Sequence, residues 1–462
     1  IMLAAVLSVS AVFSSVSVYA EEKAAKITRI YVSPNGNDSN NGSEESPVAT
    51  IEAARDIVRK IKKRNPIEIL IHAGTYKLEK RIELTSDDSG SKTAPITYKA
   101  YGDGDVILSG AKRIDLSKFT AITDKSILER LPASSRGRVG QVNLKEQGFT
   151  QDELTMKNVD GASPFSENFI VWKTPMVLGL YLNDYEQRLS RWPNKGYLTI
   201  GNIIGNDTFE YTEQNPSRWT KAKDAFIAGY MYSEWTGGWQ PIKSIDTDNA
   251  RITVVTGGEP VRANHRWSAI NLLEEIDIPG EWYLDRENLI LYYYPEKYID
   301  PENDVLEFGV LGGTNTAGAI NVKNCSYITF DGLQIEKTYC SGIRLDSCSD
   351  ITVKNCYIHD VGGIGIQSEN FGKRVVAENN TVANCTDMCI QLNYQKWSPY
   401  PIEEWKNLEY TGNTIRNNHM YNAARGRYGM VYASCLEGIG SVYENNIVHG
   451  GINSLASNNA PM

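Results

Sequence analysis

The 462-residue sequence has no excess of positive charge, because 56 aspartate and glutamate residues outnumber 47 lysine and arginine residues and give a formal net charge of −9. Nucleic-acid-binding proteins need basic surfaces that pair with phosphates, so this class of protein is not expected. After residue 20 the sequence also lacks an apolar run long enough to span a bilayer. We therefore expect no membrane partner once the apolar N-terminus is removed.

The seven cysteines lack the spacing of a zinc site, and the acidic residues nearby lack the density of a calcium site. No metal or other cofactor is therefore expected. Cys325 and Cys348 stand 23 residues apart, which equals one repeat of the pattern described next. We interpret the cysteines as small buried residues; one disulfide could form, and the odd count leaves at least one thiol over.

A short unit recurs about five times between residues 324 and 459. Its copies contain the strings FDGLQI, VKNCYI, AENNTV, IRNNHM and YENNIV, which begin at residues 330, 353, 377, 415 and 443. The offsets are 23, 24, 38 and 28 residues. A period with occasional insertions is the signature of a solenoid.

Each unit contains short alternating runs, such as residues 351–353 and 364–366, separated by Gly, Asn and Asp. Two or three strands already fill such a unit, so a helix does not fit. Alternation puts Ile351 and Val353 on one face of a strand, and one coil cannot bury that face alone. The pattern predicts an all-β parallel β-helix with coils about 4.8 Å apart and with Ile328, Ile351 and Val375 in one interior column.

Asparagine recurs at one point of the unit, as Asn355, Asn379, Asn417 and Asn445. Asparagine tolerates the left-handed backbone of a sharp corner, and its amide can bond the asparagine of the next coil. We interpret these residues as turn formers rather than as catalytic groups.

Residues 1–20 form an apolar stretch with small residues at Val18 and Ala20, which fit a signal-peptidase site. A secreted, extracellular protein is expected, and a membrane anchor is the alternative.

Residues 27–111 are predicted to hold an N-terminal cap and the first coils. Apolar residues at Ile51, Ala54, Val58 and Ile61 predict a helix over 51–63, which ends before Pro66. A cap is needed because the first coil otherwise exposes an unpaired edge.

The strings YVSPNG (31–36), TIEAAR (50–55), HAGTY (72–76) and ITYKAYG (96–102) resemble the opening of secreted right-handed β-helix carbohydrate enzymes. The resemblance implies a right-handed solenoid whose open end is covered by the helix.

Residues 112–301 lack the repeat and hold seven of the nine tryptophans, which predicts an inserted β-rich domain. The strings LNDYEQRLSRWPN (182–194), GEWYLD (280–285) and LYYYP (291–295) are similar to strings of glycoside hydrolase family 141, whose members act on plant cell-wall glycans such as xylan or fucosylated pectin. The resemblance extends from residue 27 onward.

The repeats fill residues 302–462, and the chain stops within a coil without a closing cap. Since solenoids need covered ends, more coils are expected to follow in the natural protein. The family resemblance implies that the catalytic aspartates lie on those coils.

Glycoside hydrolysis needs two carboxyl groups, about 5 to 5.5 Å apart for retention or about 6.5 to 9.5 Å apart for inversion. Stacked coils can supply both distances. Candidates for these carboxyl groups in the repeats are Asp346, Asp350, Asp360, Glu369, Asp387 and Glu437. We predict catalytic roles for Asp360, Glu369 and Asp387; a turn cap is the alternative for Asp360, and solvated surface charge for the other two.

The longest break in the repeat, residues 393–409, is typical of a loop that walls a groove. We predict that Tyr394, Trp397 and Trp405 bind sugar rings, with packing as the alternative. Arg425 and Arg427 are predicted to hold a substrate hydroxyl or carboxylate; pairing with surface acids is their alternative.

The sequence thus predicts a secreted, monomeric glycoside hydrolase whose partner is a plant cell-wall polysaccharide or oligosaccharide. A polysaccharide lyase on the same scaffold is the first alternative; it needs a basic residue and charge neutralisation. A non-catalytic glycan-binding protein is the second, since a fold does not decide function.

Overall fold

The computed structural model of the protein describes residues 26–155, 178–233, 238–256, 260–312, 317–392, 410–425 and 433–450. The first part of the chain contains strands β1 (Thr28–Val32), β2 (Ile67–Ile71), β3 (Gly74–Lys77), β4 (Ile82–Leu84), β5 (Ile96–Ala100) and β6 (Val106–Ser109), with helix α1 (Ile51–Lys60) between β1 and β2.

The middle part contains strands β7 (Ala111–Ile114), β8 (Thr120–Ala121), β9 (Gly140–Asn143), β10 (Leu180–Leu182), β11 (Tyr185–Leu189), β12 (Arg191–Trp192), β13 (Leu198–Thr199), β14 (Thr208–Glu210), β15 (Phe226–Gly229), β16 (Gly238–Asp246), β17 (Arg251–Val254), β18 (Arg266–Ile270), β19 (Glu281–Asp285), β20 (Ile290–Tyr293) and β21 (Leu306–Gly309). Helices α2 (Lys125–Arg130) and α3 (Gln151–Leu154) also lie here. Short 3₁₀ turns in these two parts span Ser86–Asp88, Leu116–Lys118, Lys145–Gln147, Asn215–Lys221 and Leu273–Glu275.

The last part contains strands β22 (Leu311–Gly312), β23 (Gly318–Lys323), β24 (Ser326–Asp331), β25 (Leu333–Tyr339), β26 (Ser341–Asp346), β27 (Ser349–Lys354), β28 (Tyr357–Val361), β29 (Ile366–Glu369), β30 (Val376–Glu378), β31 (Thr381–Cys385), β32 (Ile390–Leu392), β33 (Thr414–Arg416), β34 (His419–Tyr421), β35 (Ser434–Leu436), β36 (Val442–Glu444) and β37 (Ile447–His449).

Three parallel sheets run along the solenoid, and each full coil adds one strand to each of them. The first sheet has the order β1-β2-β5-β24-β27-β30-β33-β36. The second has the order β3-β6-β25-β28-β31-β34-β37, with β22 also beside β25, and the third the order β4-β23-β26-β29-β32-β35. The predicted parallel β-helix is confirmed.

The interior column predicted from the alternation is present. Ile328 lies opposite Ile351 in the parallel register, and Val375 directly precedes Val376, which lies opposite Thr352. All three apolar side chains of this column are buried. The strand period of two therefore fixes which residues fill the solenoid.

The corner asparagines are partly as predicted. Asn355, Asn379, Asn417 and Asn445 have φ values of 54°, 56°, 56° and 54°, which confirms the left-handed turn. The amide ladder is instead formed one residue later, where Asn380 Nδ2 donates to Asn418 Oδ1 at 2.9 Å and Asn418 Nδ2 donates to Asn446 Oδ1 at 3.0 Å. The prediction of the ladder position was wrong because the residue that follows the left-handed corner, not the corner itself, faces inward.

All seven cysteines lie in the described part of the chain, and none forms a disulfide. Six are buried. Cys325 and Cys348 occupy neighbouring coils, where the backbone N–H of Ser349 donates to the carbonyl of Cys325 at 3.0 Å. They serve as small core residues, as expected, and the disulfide considered from the sequence is absent.

Helix α1 covers the first coil. Thr50 caps its N-terminus by accepting a hydrogen bond from the backbone N–H of Ala53 at 3.1 Å. Ile51, Ala54 and Val58 are buried on its inner face and belong to the solenoid core. The helix ends at Lys60, before the predicted residue 63, because Ile61 adopts an extended backbone.

The middle part is β-rich, as predicted, and antiparallel pairs dominate it. One sheet has the order β7-β21-β10-β11-β19-β20-β9-β8, and the other contains β12, β18, β15, β16, β17 and β14, with β13 beside β18. Trp219 and Trp267 are buried in a separate core of the second sheet. In the solenoid Ile96 lies opposite Ile328, so the insertion leaves and re-enters between two stacked strands. Solenoid pairing resumes at β22, since β21 still pairs with strands of the insertion.

In the ranges that the structure describes, no helix is both long and apolar enough to cross a membrane.

Candidate active site

The outer face of the third sheet carries two parallel rows of polar side chains. In β26 the side chains of Ile343 and Leu345 are buried in the core, so alternation turns Arg344 and Asp346 outward. The parallel register then aligns the same positions of the neighbouring strands. We name Asp346, Glu369 and Glu437 the carboxylate row, and Asn321, Arg344, Gln367 and Gln391 the polar row.

The carboxylate row places Glu369 directly opposite Asp346 on the next strand. Glu437 follows Leu436, which lies opposite Leu392, and its backbone N–H donates to the carbonyl of Leu392 at 3.0 Å. Glu369 follows Ser368, which also lies opposite Leu392. Glu369 and Glu437 are therefore two strands apart on the same row.

Glu369 is the accessible carboxylate of the row. It accepts hydrogen bonds from Gln367 Nε2 at 2.6 Å and from Arg344 Nη2 at 3.1 Å. Its side chain is 34% exposed, against 14% for Asp346. Two charged or polar donors thus orient Glu369 and leave part of the carboxylate open to a ligand.

Asp346 is held more tightly. Its carboxylate accepts hydrogen bonds from Asn370 Nδ2 at 2.8 Å and from Ser347 Oγ at 2.9 Å. Burial alone would raise the pKa of Asp346, but these hydrogen bonds outweigh burial and lower the pKa below its ordinary value. Asp346 is therefore an ionised group that supports the turn after β26.

The pKa of Glu437 is shifted in the opposite direction from that of Asp346. Burial raises the pKa of its carboxyl group above the ordinary value. The same row therefore presents a hydrogen-bonded side chain at Glu369 and, at Glu437, a carboxyl group whose pKa is raised by burial. Two carboxyl groups with different environments can divide the roles of base and acid between them.

Asp360 and Arg425 lie elsewhere, where the insertion contacts the solenoid. We name the charged residues there the junction cluster: Asp184, Glu186, Glu307, Glu336, Lys337, His359, Asp360 and Arg425. Arg425 Nη1 lies 3.5 Å from Asp360 Oδ1 and also forms an ion pair with Glu186. The structure thus brings two of the predicted site residues together.

His359 lies between two carboxylates of the junction cluster. Its Nδ1 lies 2.6 Å from Asp360 Oδ2 and its Nε2 lies 3.4 Å from Glu336 Oε2. Burial alone would lower the pKa of His359, but hydrogen bonds to Asp360 and Glu336 raise it to about 9. Burial would raise the pKa of Glu336, but the hydrogen bond from His359 and the charge of Lys337 lower it to about 2.

Lys337 connects the junction cluster to the insertion. Its Nζ lies 2.5 Å from Asp184 Oδ1 and 2.9 Å from Glu307 Oε2, and its side chain is 4% exposed. Lys337 has a φ of 49°, a left-handed backbone that is costly for a lysine. Lys337, His359 and Arg425 are therefore each paired with carboxylates, which favours a structural role for Asp360, the kind of role that the turn-cap alternative describes. The predicted catalytic role of Asp360 stays a prediction.

Asp387 belongs to neither row. It lies in the bend between β31 and β32, where its N–H donates to the carbonyl of Gly363 at 3.2 Å and its own carbonyl accepts from the N–H of Ala424 at 2.8 Å. Its predicted catalytic role stays a prediction. Tyr394, Trp397, Trp405 and Arg427 lie outside the described residues, so their predicted roles also stay predictions.

The junction cluster makes stability depend on pH, because protons bind differently in the folded and unfolded states. Protonated His359 stabilises the folded state, and this contribution is present in full at pH values below about 6.5. It is lost as the pH rises through about 9, the raised pKa of His359. The lowered pKa of Glu336 stabilises above about pH 4.5 and is lost as the pH falls toward about 2.

We therefore expect the wild-type melting temperature to fall by several degrees between about pH 6.5 and 9. His359→Gln should lack most of this decline in a thermal-denaturation series, because glutamine does not titrate. An equal decline in both proteins would show that other groups cause it.

Sequence reasoning missed the polar row. Arg344, Gln367 and Gln391 are spaced by 23 and 24 residues, which is the period of the repeat. Applying that period to all outward polar residues, and not only to acids, would have found the row. In the described ranges, no group of three or more His, Cys, Asp or Glu side chains is arranged to hold a metal ion.

Comparison with known proteins agrees with this architecture. Residues 313–460 match the family model described as a right-handed β-helix region. A solved structure titled "Glycoside hydrolase" is similar over 92% of this chain and 95% of that chain, with a TM-score of 0.55 and 15% identity. This likeness concerns the fold, and with the family match it confirms the predicted right-handed parallel β-helix.

Two further matches are more limited. The structure of XylC with xylose is similar over 92% of this chain and 59% of that chain, with a TM-score of 0.46 and 15% identity. The protein YwoF of Bacillus subtilis (strain 168), which is described as uncharacterized, is 35% identical over 81 residues. That match spans 18% of this chain and only 15% of the length of YwoF.

Proposed function

We propose that the protein is a secreted glycoside hydrolase that cleaves a plant cell-wall glycan of the xylan or pectin type, with Glu369 and Glu437 as its carboxyl pair. The observation that carries the proposal is the carboxylate row, in which these two groups share one face and lie two strands apart, and in which burial raises the pKa of Glu437. The similar fold titled "Glycoside hydrolase" and the sequence resemblance support the reaction class and the substrate class.

In the proposed reaction Glu369 is the general base. Its carboxylate takes a proton from a water molecule while that water attacks the anomeric carbon. Glu437 gives its proton to the glycosidic oxygen as the bond between this oxygen and the anomeric carbon breaks. Gln367 and Arg344, which donate hydrogen bonds to Glu369, hold the base in place.

The strand spacing favours inversion of the anomeric configuration. Two strands at about 4.8 Å each separate the two backbones by about 9.6 Å, close to the wider carboxyl separation of about 6.5 to 9.5 Å. That separation leaves room for the attacking water. A retaining pair would need two carboxyl groups one strand apart. Asp346 and Glu369 have that spacing, but the carboxylate of Asp346 already accepts hydrogen bonds from Asn370 and Ser347, which makes it a poor nucleophile.

A polysaccharide lyase is the less favoured function. A lyase needs a free basic group and a cation that neutralises the uronate carboxylate. The basic residues of the junction cluster, Lys337, His359 and Arg425, are each paired with carboxylates. The carboxylate row adds negative charge where a uronate would have to bind.

The products test the reaction class. Incubation of the full chain with xylan and with pectin-type glycans should release reducing ends without the ultraviolet absorbance of an unsaturated uronate. Proton NMR of the first product from a substrate of known configuration should show the inverted anomer. Unsaturated product would establish the lyase alternative, and binding without turnover would support a glycan-binding protein.

A further inference from the structure

The eight-stranded sheet of the insertion has two open edges. Within the described ranges β7 pairs with β21 alone and β8 pairs with β9 alone, and the 3₁₀ turn Leu116–Lys118 connects the two edge strands. A cleft of about 910 Å³ lies there, within the range of about 300 to 1,000 Å³ that is typical of small-molecule sites. We name it the edge cleft, and its wall includes Arg113, Lys118, Thr120, Gln141, Ile290 and Pro301.

The edge cleft is separate from the candidate active site. None of the described residues that line it belongs to the carboxylate row, the polar row or the junction cluster. The carboxylate row lies on the third sheet of the solenoid, whereas the cleft is formed by strands and turns of the insertion. A ligand of this cleft is therefore not accounted for by the proposed reaction.

Two cationic side chains of the edge cleft are available to a ligand. Arg113 and Lys118 are both exposed, and neither forms an ion pair or a side-chain hydrogen bond with any residue in the described ranges. Hydrogen bonds from Ser117 lower the pKa of Asp115, and the charges of Lys118 and Arg113 lower it further. Both cations therefore lie near the same carboxylate and close to each other.

The cleft also offers neutral groups. Thr120 and Gln141 lie directly opposite each other on β8 and β9, so their side chains share one face of the sheet. Thr120 is exposed and Gln141 partly exposed, and neither side chain forms a hydrogen bond with another described residue. Ile290 and Pro301 add apolar surface. Hydroxyl, amide and apolar groups side by side fit the hydroxyls and C–H groups of a sugar ring.

The acidic residues of the cleft are engaged by their own surroundings. Asp115 Oδ1 accepts a hydrogen bond from the backbone N–H of Ser117 at 2.9 Å. Glu146 Oε1 accepts one from Asn143 Nδ2 at 2.9 Å. The donors of the two cations, in contrast, are not used by described residues, so the cleft favours a ligand that brings its own carboxylate.

We propose that the edge cleft binds an acidic saccharide, whose carboxylate is held by Arg113 and Lys118 and whose hydroxyls are held by Thr120 and Gln141. A neutral sugar would leave both cations without a partner, and a simple anion would leave the rest of the cleft empty. The cleft anchors a glycan by an acidic unit and performs no chemistry on it, so the proposal does not depend on the proposed hydrolysis.

Binding can be measured without turnover in the Glu369→Gln variant of the full chain. Calorimetric titration with trigalacturonate should detect binding that weakens as the salt concentration rises, because the contacts are between exposed charges. Galactotriose, which has hydroxymethyl groups in place of the carboxylates, should bind more weakly by at least about tenfold. Equal binding of the two trisaccharides, binding of neither, or displacement of trigalacturonate by an equal concentration of acetate would overturn the proposal.

A pair of variants places the binding in the edge cleft. Arg113→Gln in the same background should weaken trigalacturonate binding about thirtyfold, which corresponds to about 2 kcal/mol for one lost hydrogen bond to a charged group. Lys99→Gln is the matched control for charge, because Lys99 is exposed on β5 of the solenoid, and it should leave binding unchanged. Equal effects of both substitutions would show that only the net charge matters and would remove the site from the cleft.

The outcome is independent of the reaction. In the otherwise wild-type protein Arg113→Gln should not change kcat on a short neutral oligosaccharide, because Arg113 lies outside the proposed active site. Selective binding of trigalacturonate by a protein that releases no product would contradict only the proposed hydrolysis. Product release without such binding would contradict only the edge cleft as a saccharide site.

Discussion

Glu369→Gln is expected to lower kcat about a thousandfold on a xylan-type substrate. The substitution keeps the size of the side chain and its ability to accept a hydrogen bond, but an amide cannot take a proton from water. The single amide oxygen of the new side chain can accept a hydrogen bond from only one of the two donors, Gln367 Nε2 or Arg344 Nη2, so a modest loss of stability is expected and the fold should be retained. Initial rates of reducing-end release and a thermal melt of the same sample provide the two measurements.

Glu378→Gln is the matched control for this experiment. Glu378 lies on the first sheet, where it is paired with Arg416 at 2.5 Å, and it is remote from the carboxylate row in the register of the coil. It should retain wild-type activity. Comparable losses in both variants, or an active Glu369→Gln enzyme, would remove Glu369 from the mechanism.

Glu437→Gln distinguishes the acid from the base. A general acid matters less when the leaving group departs without a proton, so this variant should be strongly impaired on xylan but much less on an activated nitrophenyl xyloside. Glu369→Gln should be impaired on both substrates, because the water must still be activated. The opposite pattern would exchange the two roles.

The fold could be predicted from the sequence because each coil of a solenoid repeats the same pattern of strand and corner residues. A period of 23 or 24 residues and alternation within each strand place Ile328, Ile351 and Val375 in one column without any distant contact. The corner asparagines were recognised for the same reason. The ladder was assigned to the wrong residue, since which of two neighbouring asparagines faces inward depends on the backbone angles of the corner.

The candidate site was less predictable for two physical reasons. The carboxylate row depends on register across coils of unequal length, and the 38-residue offset between residues 379 and 417 hides the alignment of Glu369 with Glu437. The junction cluster depends on distant partners, because Lys337 meets Asp184 across 153 residues of sequence. No local sequence pattern predicts such a pair, so the sequence could not distinguish a catalytic role of Asp360 from its alternative role as a turn cap.

Lys337→Ala is expected to lower the free energy of unfolding by about 3 to 5 kcal/mol, the cost of removing one partner from a buried ion pair. The side chain is 4% exposed, and its Nζ lies 2.9 Å from Glu307 and 3.5 Å from Glu336. The side chains of Glu307 and Glu336 are 14% and 12% exposed, so both lose a counter-charge in a place that water hardly reaches. Asp184 is 84% exposed and should contribute little.

Lys337→Asn tests the backbone at the same position. Lys337 occupies the column that continues with Asp360, Asn384 and Asn422, whose φ values are 53°, 51° and 51°. Asparagine accepts this left-handed backbone more readily than alanine, by about 1 kcal/mol. Urea titrations should therefore rank the unfolding midpoints as wild type, then Lys337→Asn, then Lys337→Ala.

Lys354→Ala is the control for the charge removed. Lys354 lies on the first sheet, is 33% exposed and faces Asp331 at 3.5 Å, so its loss should change stability by less than about 1 kcal/mol. If Lys337→Ala unfolds at the same urea concentration as Lys354→Ala, the buried lysine does not hold the insertion against the solenoid. The expected result is that Lys337→Ala alone is destabilised and is also cleaved faster by protease at the β10–β11 hairpin. That result would show that the ion pairs of Lys337 hold the insertion against the solenoid.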